Sequence, residues 1–488
     1  MMFRRVYIAL AAGTLVACSV NPREHFDQVQ SVVYARTGQR VQWNVGGPED
    51  LQVKQTVHDL LQNELSVEQV VQITLLNSPD LQATYEDLGI AQADLVQAGL
   101  LKNPVISAEI RFPGRPNYPV EANLEDEFLD ILILPLRKKV AEASYEQAKA
   151  TVVDAVIRHA AEVRGAFYNY QGAQQLLELR RTALAAAEAN LDATRRLREA
   201  GNIRELDLAT EQGSVAQAKL EVAELEAEAA EDREQLIVFM GLSGAEVGVW
   251  KIATRLPDQL GADLSSVDLE SLAVSQRQDL LAARNQIEVA ARTAGMANYA
   301  AVFSGATIGV HDQRDADVKN TIGPAISAPI PIFDQGQAAT ARAQAQFRQA
   351  QDRYLALEVR IRSQVRKAYT RMAMARQRAL YLKETVIPLR QHVVDETLLQ
   401  YNGMFVGLSV LLQAKQEEIN AGSQYVGALR DYWMARSELE AAIGGRLTPL
   451  SAKTTPATQR DHKTPANPTT TSPAMPGMES MPGMQDSH

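Results

Sequence analysis

Residues 141–179, AEASYEQAKATVVDAVIRHAAEVRGAFYNYQGAQQLLEL, decide the fold of this 488-residue chain. They lie in an alanine-rich stretch that runs without proline from about Arg137 to Glu199. At 1.5 Å per residue, a helix of roughly 60 residues is about 90 Å long. Since that is longer than a globular domain, the sequence predicts an elongated, mainly helical body.

Two helical hairpins are predicted from stretches of this kind. The first long helix turns at Gly201, and a returning helix covers Glu205 to about Met240. A second long helix follows Gly336 and turns at Gly403 before it returns. Its apolar residues recur at steps of three and four, the spacing of a coiled-coil seam. They are Phe347, Ala350, Tyr354, Leu357, Ile361, Val365, Ala368 and Met372.

The same plan occurs twice along the chain. An Asp-Leu pair at residues 80–81 recurs at 279–280, and Pro135 corresponds to Pro331. An offset of roughly 200 residues indicates tandem duplication of a large unit and not a short solenoid repeat. The duplication predicts pseudo-symmetry in an assembly that closes on itself.

Each copy also carries a segment in which apolar and polar residues alternate. In the first copy, four apolar residues from Ile106 to Phe112 alternate with polar neighbours, which predicts a strand with one apolar face. The predicted strand regions are residues 105–134 and 302–332, with strands of about 9–11 residues. Strands of this length cross the hydrocarbon core of a bilayer when they are tilted.

A sheet of four such strands is unstable in lipid if it stays open, because its edge amides lack partners at several kcal/mol each. Closure needs several chains, and a barrel with a water-filled lumen needs about a dozen strands. Four strands per chain therefore predict a trimer whose strands close into one barrel. The alternative is short strands in a soluble cap.

The single cysteine follows an apolar N-terminal segment. Arg4 and Arg5 precede an apolar run that ends with Leu-Val-Ala-Cys at residues 15–18, a pattern typical of a signal segment. The spacing resembles a bacterial lipobox, in which Cys18 is acylated and becomes the first mature residue. An ordinary signal peptide with an incidental cysteine is the alternative. No other cysteine remains for disulfides or thiol catalysis.

The predicted divisions follow the two repeats. A signal peptide covers residues 1–17, a lipid-anchored irregular segment 18–65, and repeat 1 residues 66–242 with its long hairpin at about 137–240. An inter-repeat linker covers 243–278, and repeat 2 covers 279–445 with its hairpin at about 337–443. Residues 446–488, rich in Pro, Thr and Ser, are expected to be a disordered tail.

Composition excludes several classes of function. A net charge of −10 offers no basic surface to nucleic acid. The seven histidines are scattered, and the sequence has no His-Glu-x-x-His, Gly-x-Ser-x-Gly or phosphate-loop motif. The sequence therefore predicts neither an enzyme nor a resident cofactor.

The duplicated plan behind a lipobox resembles the TolC-type outer-membrane efflux factors. The most specific marks are the two Asp-Leu pairs, the Pro-Ile-Phe-x-x-Gly run at 331–336, and the Tyr-x-Gly motif with its following leucines at 401–411. The resemblance covers about residues 65–445. It implies a passive homotrimeric duct, with a 12-stranded β-barrel in the outer membrane that is continuous with an α-helical barrel extending through the periplasm. There a periplasmic adaptor and an inner-membrane pump dock.

The resemblance also places the two hairpin turns at the periplasmic tip. It implies adaptor contact for Gly201, Asn202, Gly403 and Met404. A plain structural role exists beside this one, because glycine reverses a helix by adopting the left-handed conformation.

Family members often carry acidic residues beyond the second turn that narrow the pore. This chain has none at the corresponding stretch. Asp207 and Glu211, one helical turn apart after the first turn, are the candidates that remain.

The C-terminal tail contains the only sequence feature that indicates what the protein exports. It contains Met-Pro-Gly-Met twice, and thioethers are soft ligands that suit Cu(I) and Ag(I). The candidate ligands for transient metal binding are Met475, Met478, Met481, Met484 and His488. This pattern predicts export of copper or silver ions and fits the copper/silver-resistance branch of the family. A tail without any ligand role is the alternative.

Other functions stay open at this point. Within the family, the duct could export drugs or other organic compounds, and the tunnel sequence does not choose between these and metal ions. From another class, a lipidated periplasmic adaptor or a structural coiled-coil protein also uses long helices. An adaptor normally has one hairpin between small β-domains, so the duplication speaks against it.

Overall fold

The computed structural model describes residue 23 and residues 25–110, 120–261, 266–303, 306–314, 321–328, 330 and 332–447. By its contacts the chain divides into two units, Met1–Arg446 and Leu447–His488. The first unit contains all the helices and strands given below.

The first repeat and the segment before it are mainly helical. The helices are α1 (Phe26–Thr37), α2 (Pro48–Leu61), α3 (Val67–Asn77), α4 (Pro79–Ala98), α5 (Phe128–Glu199) and α6 (Glu205–Met240). The strands are β1 (Glu64–Leu65), β2 (Val105–Ile110) and β3 (Val120–Asp126).

The second repeat follows a connection that holds a 3₁₀ turn at Gly244–Gly248 and β4 (Lys251–Ile252). Its helices are α7 (Ser266–Gln276), α8 (Gln278–Phe303), α9 (Gln337–Tyr381), α10 (Ile387–Asn402) and α11 (Leu408–Ile443). Its strands are β5 (Thr307–Arg314) and β6 (Thr321–Ser327).

Four strands form one antiparallel sheet in the order β2-β3-β5-β6. The repeats meet in its centre, where Asn123 of β3 lies opposite His311 of β5. Among the described residues, the outer strands β2 and β6 have no partner on their far sides. The described parts of the strands have six to eight residues, and each borders residues outside the described part of the chain, so the length of 9–11 residues stays a prediction.

The boundary between the first strand pair and the long helix differs from the prediction. A strand was expected to reach residue 134, but α5 begins at Phe128 and contains Pro135. The apolar run at residues 128–134 fits a strand or a buried helix equally well, since a short apolar run has no distinguishing period. In the second repeat α9 starts only after Gly336, so the two copies are not equivalent here.

Residues 25–65 are not irregular, which corrects the prediction for that segment. The helices α1 and α2 occupy most of it. The ring of Phe26 lies 5.6 Å from that of Trp43 and 5.3 Å from that of Tyr85 on α4. Trp43 is fully buried and donates to Glu86 at 3.0 Å. These apolar anchors fold the segment onto the first repeat.

The connection between the repeats is also more regular than expected. β4 pairs in parallel with β1, and α7 occupies its last part. Trp250 is 1% exposed, and the guanidinium of Arg233 lies 4.1 Å from the centre of its ring. The buried indole holds the connection against α6.

The predicted seam of the second long helix is confirmed. Ile361, Val365, Ala368 and Met372 are buried on one side of α9. Between α9 and α10 the helix widens into a π turn at Leu382–Val386, just before Pro388. Proline lacks the N–H that a regular helix needs. The wider turn lets the two helices continue as one rod.

In both repeats the end of the returning helix meets the start of a shorter one. The Asn77 amide donates to the carbonyls of Met240 (2.8 Å) and Gly241 (3.1 Å) at the end of α6. Likewise Arg277 donates to the carbonyl of Ala442 (3.2 Å) at the end of α11. These two contacts, named here the joints, hold the end of α6 at the boundary between α3 and α4, and the end of α11 at the boundary between α7 and α8.

Candidate conduit and hairpin tips

Four long helices lie side by side in a row. One side of α5 packs against α6 and the other against α11, which packs in turn against α9 and α10. The order across the row is therefore α6, α5, α11, and then α9 with α10. Two edges result, α6 at one end and the α9–α10 rod at the other.

A glycine lets one side chain cross this row. Arg430 of α11 lies over Gly172 of α5 and approaches Glu228 of α6, with an N–O distance of 3.9 Å. A Cβ on Gly172 would come within 2.9 Å of Cγ of Arg430. The glycine thus leaves space for a contact between the first and the second hairpin.

A buried arginine connects the N-terminal helices to the end of α11. Arg164 of α5 is 8% exposed and donates to Glu68 of α3 (3.0 Å) and Glu440 of α11 (3.2 Å). Arg446 also donates to Glu68. Removing one partner of a buried ion pair costs about 3–5 kcal/mol, because the other charge stays buried. This cluster therefore ties the N-terminal helices to the end of the last helix.

The sheet has two chemically different faces. Alternation along each strand and the register between strands assign every residue to a face. Among the residues whose side chains the structure describes, one face carries Ile106, Ala108, Ala122, Leu124, Ile308, Val310, Ile322, Pro324 and Ile326, interrupted by Asp312. The opposite face carries Ser107, Glu109, Glu121, Asn123, His311, Gln313 and Thr321. The apolar face is uncovered in the single chain, where Ile106 is 77% and Ile326 80% exposed.

The first hairpin turn follows the predicted design. Gly201 has a φ of 77°, and its N–H donates to the carbonyl of Arg198 at 2.9 Å. The N–H of Asn202 donates to the carbonyl of Leu197 at 2.9 Å. These two bonds form a Schellman motif with glycine in the left-handed position.

The second turn corrects the prediction for Gly403. This residue has a φ of −79°, and Met404 occupies the left-handed position with a φ of 63°. The N–H groups of Met404 and Phe405 donate to the carbonyls of Tyr401 and Gln400, each at 2.9 Å. Because α10 continues through Asn402, the left-handed position falls one residue later than the glycine.

Two apolar side chains project from this second turn. Met404 is 93% and Phe405 84% exposed. Gly403 makes room for the aromatic ring, since a Cβ there would lie 2.8 Å from the ring carbons of Phe405. The first turn has the polar Asn202 at the place of Phe405, so the two tips differ in chemistry.

The two acidic candidates already have partners in the first hairpin. Asp207 accepts from the guanidinium of Arg204 at 3.0 Å and from its backbone N–H at 3.2 Å. This hydrogen bonding lowers the pKa of Asp207 and keeps it charged. Glu211 accepts from the amide of Asn190 at 2.7 Å. Both carboxylates thus have partners within the first hairpin of their own chain.

The remaining sequence candidates lie outside the described residues. They are Cys18 and the tail residues Met475, Met478, Met481, Met484 and His488. Within the described part of the chain, His, Cys, Asp and Glu form no group of three that could hold a metal ion. A search of that same part finds no helix with the length and apolarity to cross a membrane.

The first hairpin is similar to a known protein family. Residues 135–242, most of α5 and all of α6, match the family model described as outer membrane efflux protein. The similarity to the outer membrane efflux protein family therefore rests on this hairpin. The match supports the predictions of an outer-membrane efflux channel and of a chain that is not an enzyme.

A curated relative extends the similarity along the chain. The cobalt-zinc-cadmium resistance protein CzcC of Cupriavidus metallidurans is 23% identical over 393 residues. The alignment covers 78% of this chain and 90% of that protein. It therefore includes both repeats.

Solved structures show the same fold. A membrane protein from Pseudomonas aeruginosa superimposes with a TM-score of 0.67 at 18% identity, over 79% of this chain and 94% of that one. CusC, described in terms of transmembrane channel formation, gives a TM-score of 0.65 at 16% identity, over 80% and 94%. At these identities the likeness shows the mainly helical, TolC-like fold alone.

Proposed function

We propose that this efflux protein is the trimeric exit duct of a tripartite system that exports transition-metal ions from the periplasm. The main support for a duct is that the long helices and the sheet are continuous with each other. A row of long helices runs directly into a sheet with one apolar and one polar face. Such a chain supplies one sector of a wall that is apolar toward lipid and polar toward a lumen.

Closure of the sheet supports three copies. One chain contributes four strands, and the free edges of β2 and β6 need partners in lipid. Three copies give 12 strands, enough for a water-filled lumen. The apolar side chains of the sheet then face the bilayer, and Glu109, Glu121 and His311 face the lumen.

The hairpin tips are the proposed contact with the adaptor. Gly201 and Asn202 form one tip, and Gly403 and Met404 the other. The exposed apolar pair Met404 and Phe405 supports this role, because large apolar side chains at an exposed tip mark an interaction site. Asp207 and Glu211 are proposed to narrow the pore only if their ion pairs and hydrogen bonds open.

The family similarity to a metal-resistance protein and the methionine-rich tail together support metal as cargo. The tail favours Cu(I) and Ag(I), since thioethers bind soft ions. The name of CzcC favours divalent cobalt, zinc and cadmium as a second candidate. Export of organic compounds is the remaining alternative.

Growth tests separate these cargoes. A strain that lacks the chain should lose tolerance to copper and silver, and deletion of residues 472–488 should reduce that tolerance while trimers still form. Loss of tolerance to cobalt, zinc and cadmium alone would favour the second candidate. Sensitivity to organic compounds, with unchanged tolerance to all five metals, would contradict metal export. The matched control deletes residues 455–471 of the same tail, which contain no methionine.

A further inference from the structure

The first turns of α5 leave apolar side chains uncovered next to the sheet. Ile131 is 50% and Leu132 59% exposed. The connection between α4 and β2 adds two more, since Leu100 is 46% and Leu101 54% exposed. Arg137 of α5 donates to the carbonyl of Leu100 at 2.6 Å and so holds the two segments together. These four apolar side chains, named here the collar, lie where the helices meet the sheet.

A basic segment follows the collar along α5. Residues 135–141 carry three positive charges and no negative one. Lys138 and Lys139 are both exposed, and neither side chain forms an ion pair or a hydrogen bond with the described part of the chain. Two ammonium groups are thus available to an anionic partner.

Helix geometry places each lysine in line with one apolar residue of the collar. Seven residues make nearly two full turns of an α-helix, so Lys138 lies on the same side as Ile131. Lys139 lies on the same side as Leu132 for the same reason, and the rise within each pair is about 10 Å. Because Cα–Cβ bonds in a helix point toward its N-terminus, both lysine side chains lean toward the collar. A lysine in this position places its ammonium group at the level of lipid headgroups when the collar lies in hydrocarbon.

The same side of α5 is covered by α1 further from the sheet. Tyr145 follows Lys138 by seven positions and therefore lies on this side. It is buried, and the ring of His25 lies 6.3 Å from its own ring. Lys149, one turn further on, donates to the side chain of Gln28 of α1 at 2.7 Å. The N-terminal helices thus cover this side as far as Tyr145, and Lys138 lies uncovered between them and the collar.

The length of chain before α1 fits a membrane surface at this level. Cys18 precedes His25 by seven positions, and seven residues span at most about 25 Å. Ile131 lies about 21 Å from Tyr145 along α5, in the direction of the sheet. A membrane surface between Lys138 and Ile131 is therefore within reach of the proposed acyl group on Cys18.

We propose that Lys138 and Lys139 bind the phosphate group of an anionic phospholipid whose acyl chains cover the collar. This inference rests on the proposed insertion of the duct in the outer membrane and specifies the depth of that insertion. The uncovered apolar face of the sheet continues into the collar, so lipid is the occupant that fits both surfaces. The two positive charges then favour an anionic headgroup over a zwitterionic one.

Competition between two phospholipids tests the proposal. The full chain is extracted in a neutral detergent and mixed with equimolar phosphatidylglycerol and phosphatidylcholine. Native mass spectrometry then measures the ratio of the two lipids that stay bound. The wild type should retain phosphatidylglycerol in roughly fivefold or greater excess, because each lysine near an anionic lipid surface contributes about a factor of five. Lys138→Gln with Lys139→Gln should lower that excess to about one.

Matched variants separate the position of the charges from their number. Lys54→Gln with Lys367→Gln removes the same charge from exposed sites on α2 and α9 and should leave the lipid ratio as in the wild type. Lys138→Arg with Lys139→Arg keeps the charge and should retain the preference for phosphatidylglycerol. Circular dichroism of each variant checks that the helices are intact.

A collar variant and free phosphate complete the test. Ile131→Ser with Leu132→Ser should reduce the amount of both bound lipids, because the acyl chains lose apolar contact, and unchanged amounts would overturn the role of the collar. Displacement of phosphatidylglycerol by excess inorganic phosphate would identify a site for free phosphate and overturn the proposal. Equal binding of the two lipids by the wild type, or an excess that survives Lys138→Gln with Lys139→Gln, overturns it as well and leaves the duct in place. A wild-type chain that is absent from the outer-membrane fraction overturns the proposed duct and this inference with it.

Discussion

At the residue scale, the two hairpin turns place different residues in the left-handed position. Both turns need a left-handed residue after the long helix. Gly201 adopts that conformation freely, whereas in Met404 the Cβ costs about 1–2 kcal/mol. A methionine retained in a strained position and 93% exposed fits a role in binding better than a role in folding.

Substitutions at three positions, each a glycine or a left-handed residue, should change the free energy of unfolding in different directions. Gly201→Ala should lower the free energy of unfolding by about 1 kcal/mol, because alanine is strained at a φ of 77°. Gly213→Ala should raise it by about 0.5–1 kcal/mol, since Gly213 lies within α6 and a methyl group there would enter open space. Met404→Gly should leave it unchanged or raise it slightly. Denaturant unfolding of the detergent-solubilised chain measures all three, and destabilisation by Met404→Gly would contradict a binding role.

The sequence predicted these turns to within one residue and no closer. Gly201 was placed correctly because α5 ends where its motif suggests. Gly403 was not, because the left-handed position depends on the last helical residue, and Asn402 still belongs to α10. The crossing of Arg430 over Gly172 was not predictable either, since it joins residues 258 positions apart. Only a glycine inside a long helix hinted at a close approach there.

At the element scale, Pro257 and Asp258 of the inter-repeat connection, named here the strap, contact the π turn between α9 and α10 and the helix α11. Asp258 accepts from Lys383 within the π turn at 2.5 Å and from Tyr425 of α11. The hydrogen bonds from Lys383 and then Tyr425 lower the pKa of Asp258 below 3.8. Trp433 donates to the carbonyl of Pro257 at 2.9 Å and adds a second contact to the strap.

The strap should loosen in acid. A lowered folded-state pKa means that the carboxylate contributes stability above about pH 3.8, and that this contribution is lost as the pH falls through the folded value. The Asp258 side chain is more than half exposed, so the effect is small, at most about 1 kcal/mol. Amide hydrogen exchange at Leu382–Val386 should accelerate between pH 4 and lower values, after correction for intrinsic rates, in the wild type. Asp258→Asn should show faster exchange already at pH 7, and equal protection in both proteins would contradict the strap.

Helices were predicted well where a regular apolar spacing extended over many turns, and poorly where the segment was too short to show one. The bounds of α6 and the seam of α9 followed from many turns of regular spacing. The start of α5 and the helices α1 and α2 did not, because short apolar runs are ambiguous and the burial of Trp43 depends on α4. Tertiary packing decided these segments.

At the scale of the whole molecule, two devices attach the protein to the membrane in our proposal. The acyl chain on Cys18 inserts a lipid, and the uncovered apolar face of the sheet contacts the bilayer directly. A lipid anchor inserts into one leaflet only, whereas a closed barrel spans the whole hydrocarbon core. The barrel therefore dominates.

Removal of the lipid should leave the protein in the membrane. We expect Cys18→Ala to abolish labelling with radioactive palmitate but to fractionate with the outer membrane on a density gradient. As a control for the sheet, Ile106→Lys with Ile326→Lys on the apolar face should reduce insertion, because charges on a lipid-facing surface cost about 2–4 kcal/mol each near the midplane. A Cys18→Ala chain lost from the membrane fraction would contradict the spanning role of the strands.

The joints set the order in which the chain can fold. A hairpin of α5 and α6 closes across a short turn, whereas the Asn77 joint brings together residues 163 positions apart. Loop-closure entropy and folding rate both favour the hairpin first. The joint therefore forms last and depends on the length of the hairpin. One inserted residue would rotate the end of α6 by about 100° relative to Asn77. The same argument applies to α11, which like α6 has 36 residues, so in each hairpin the joint fixes the length of the returning helix.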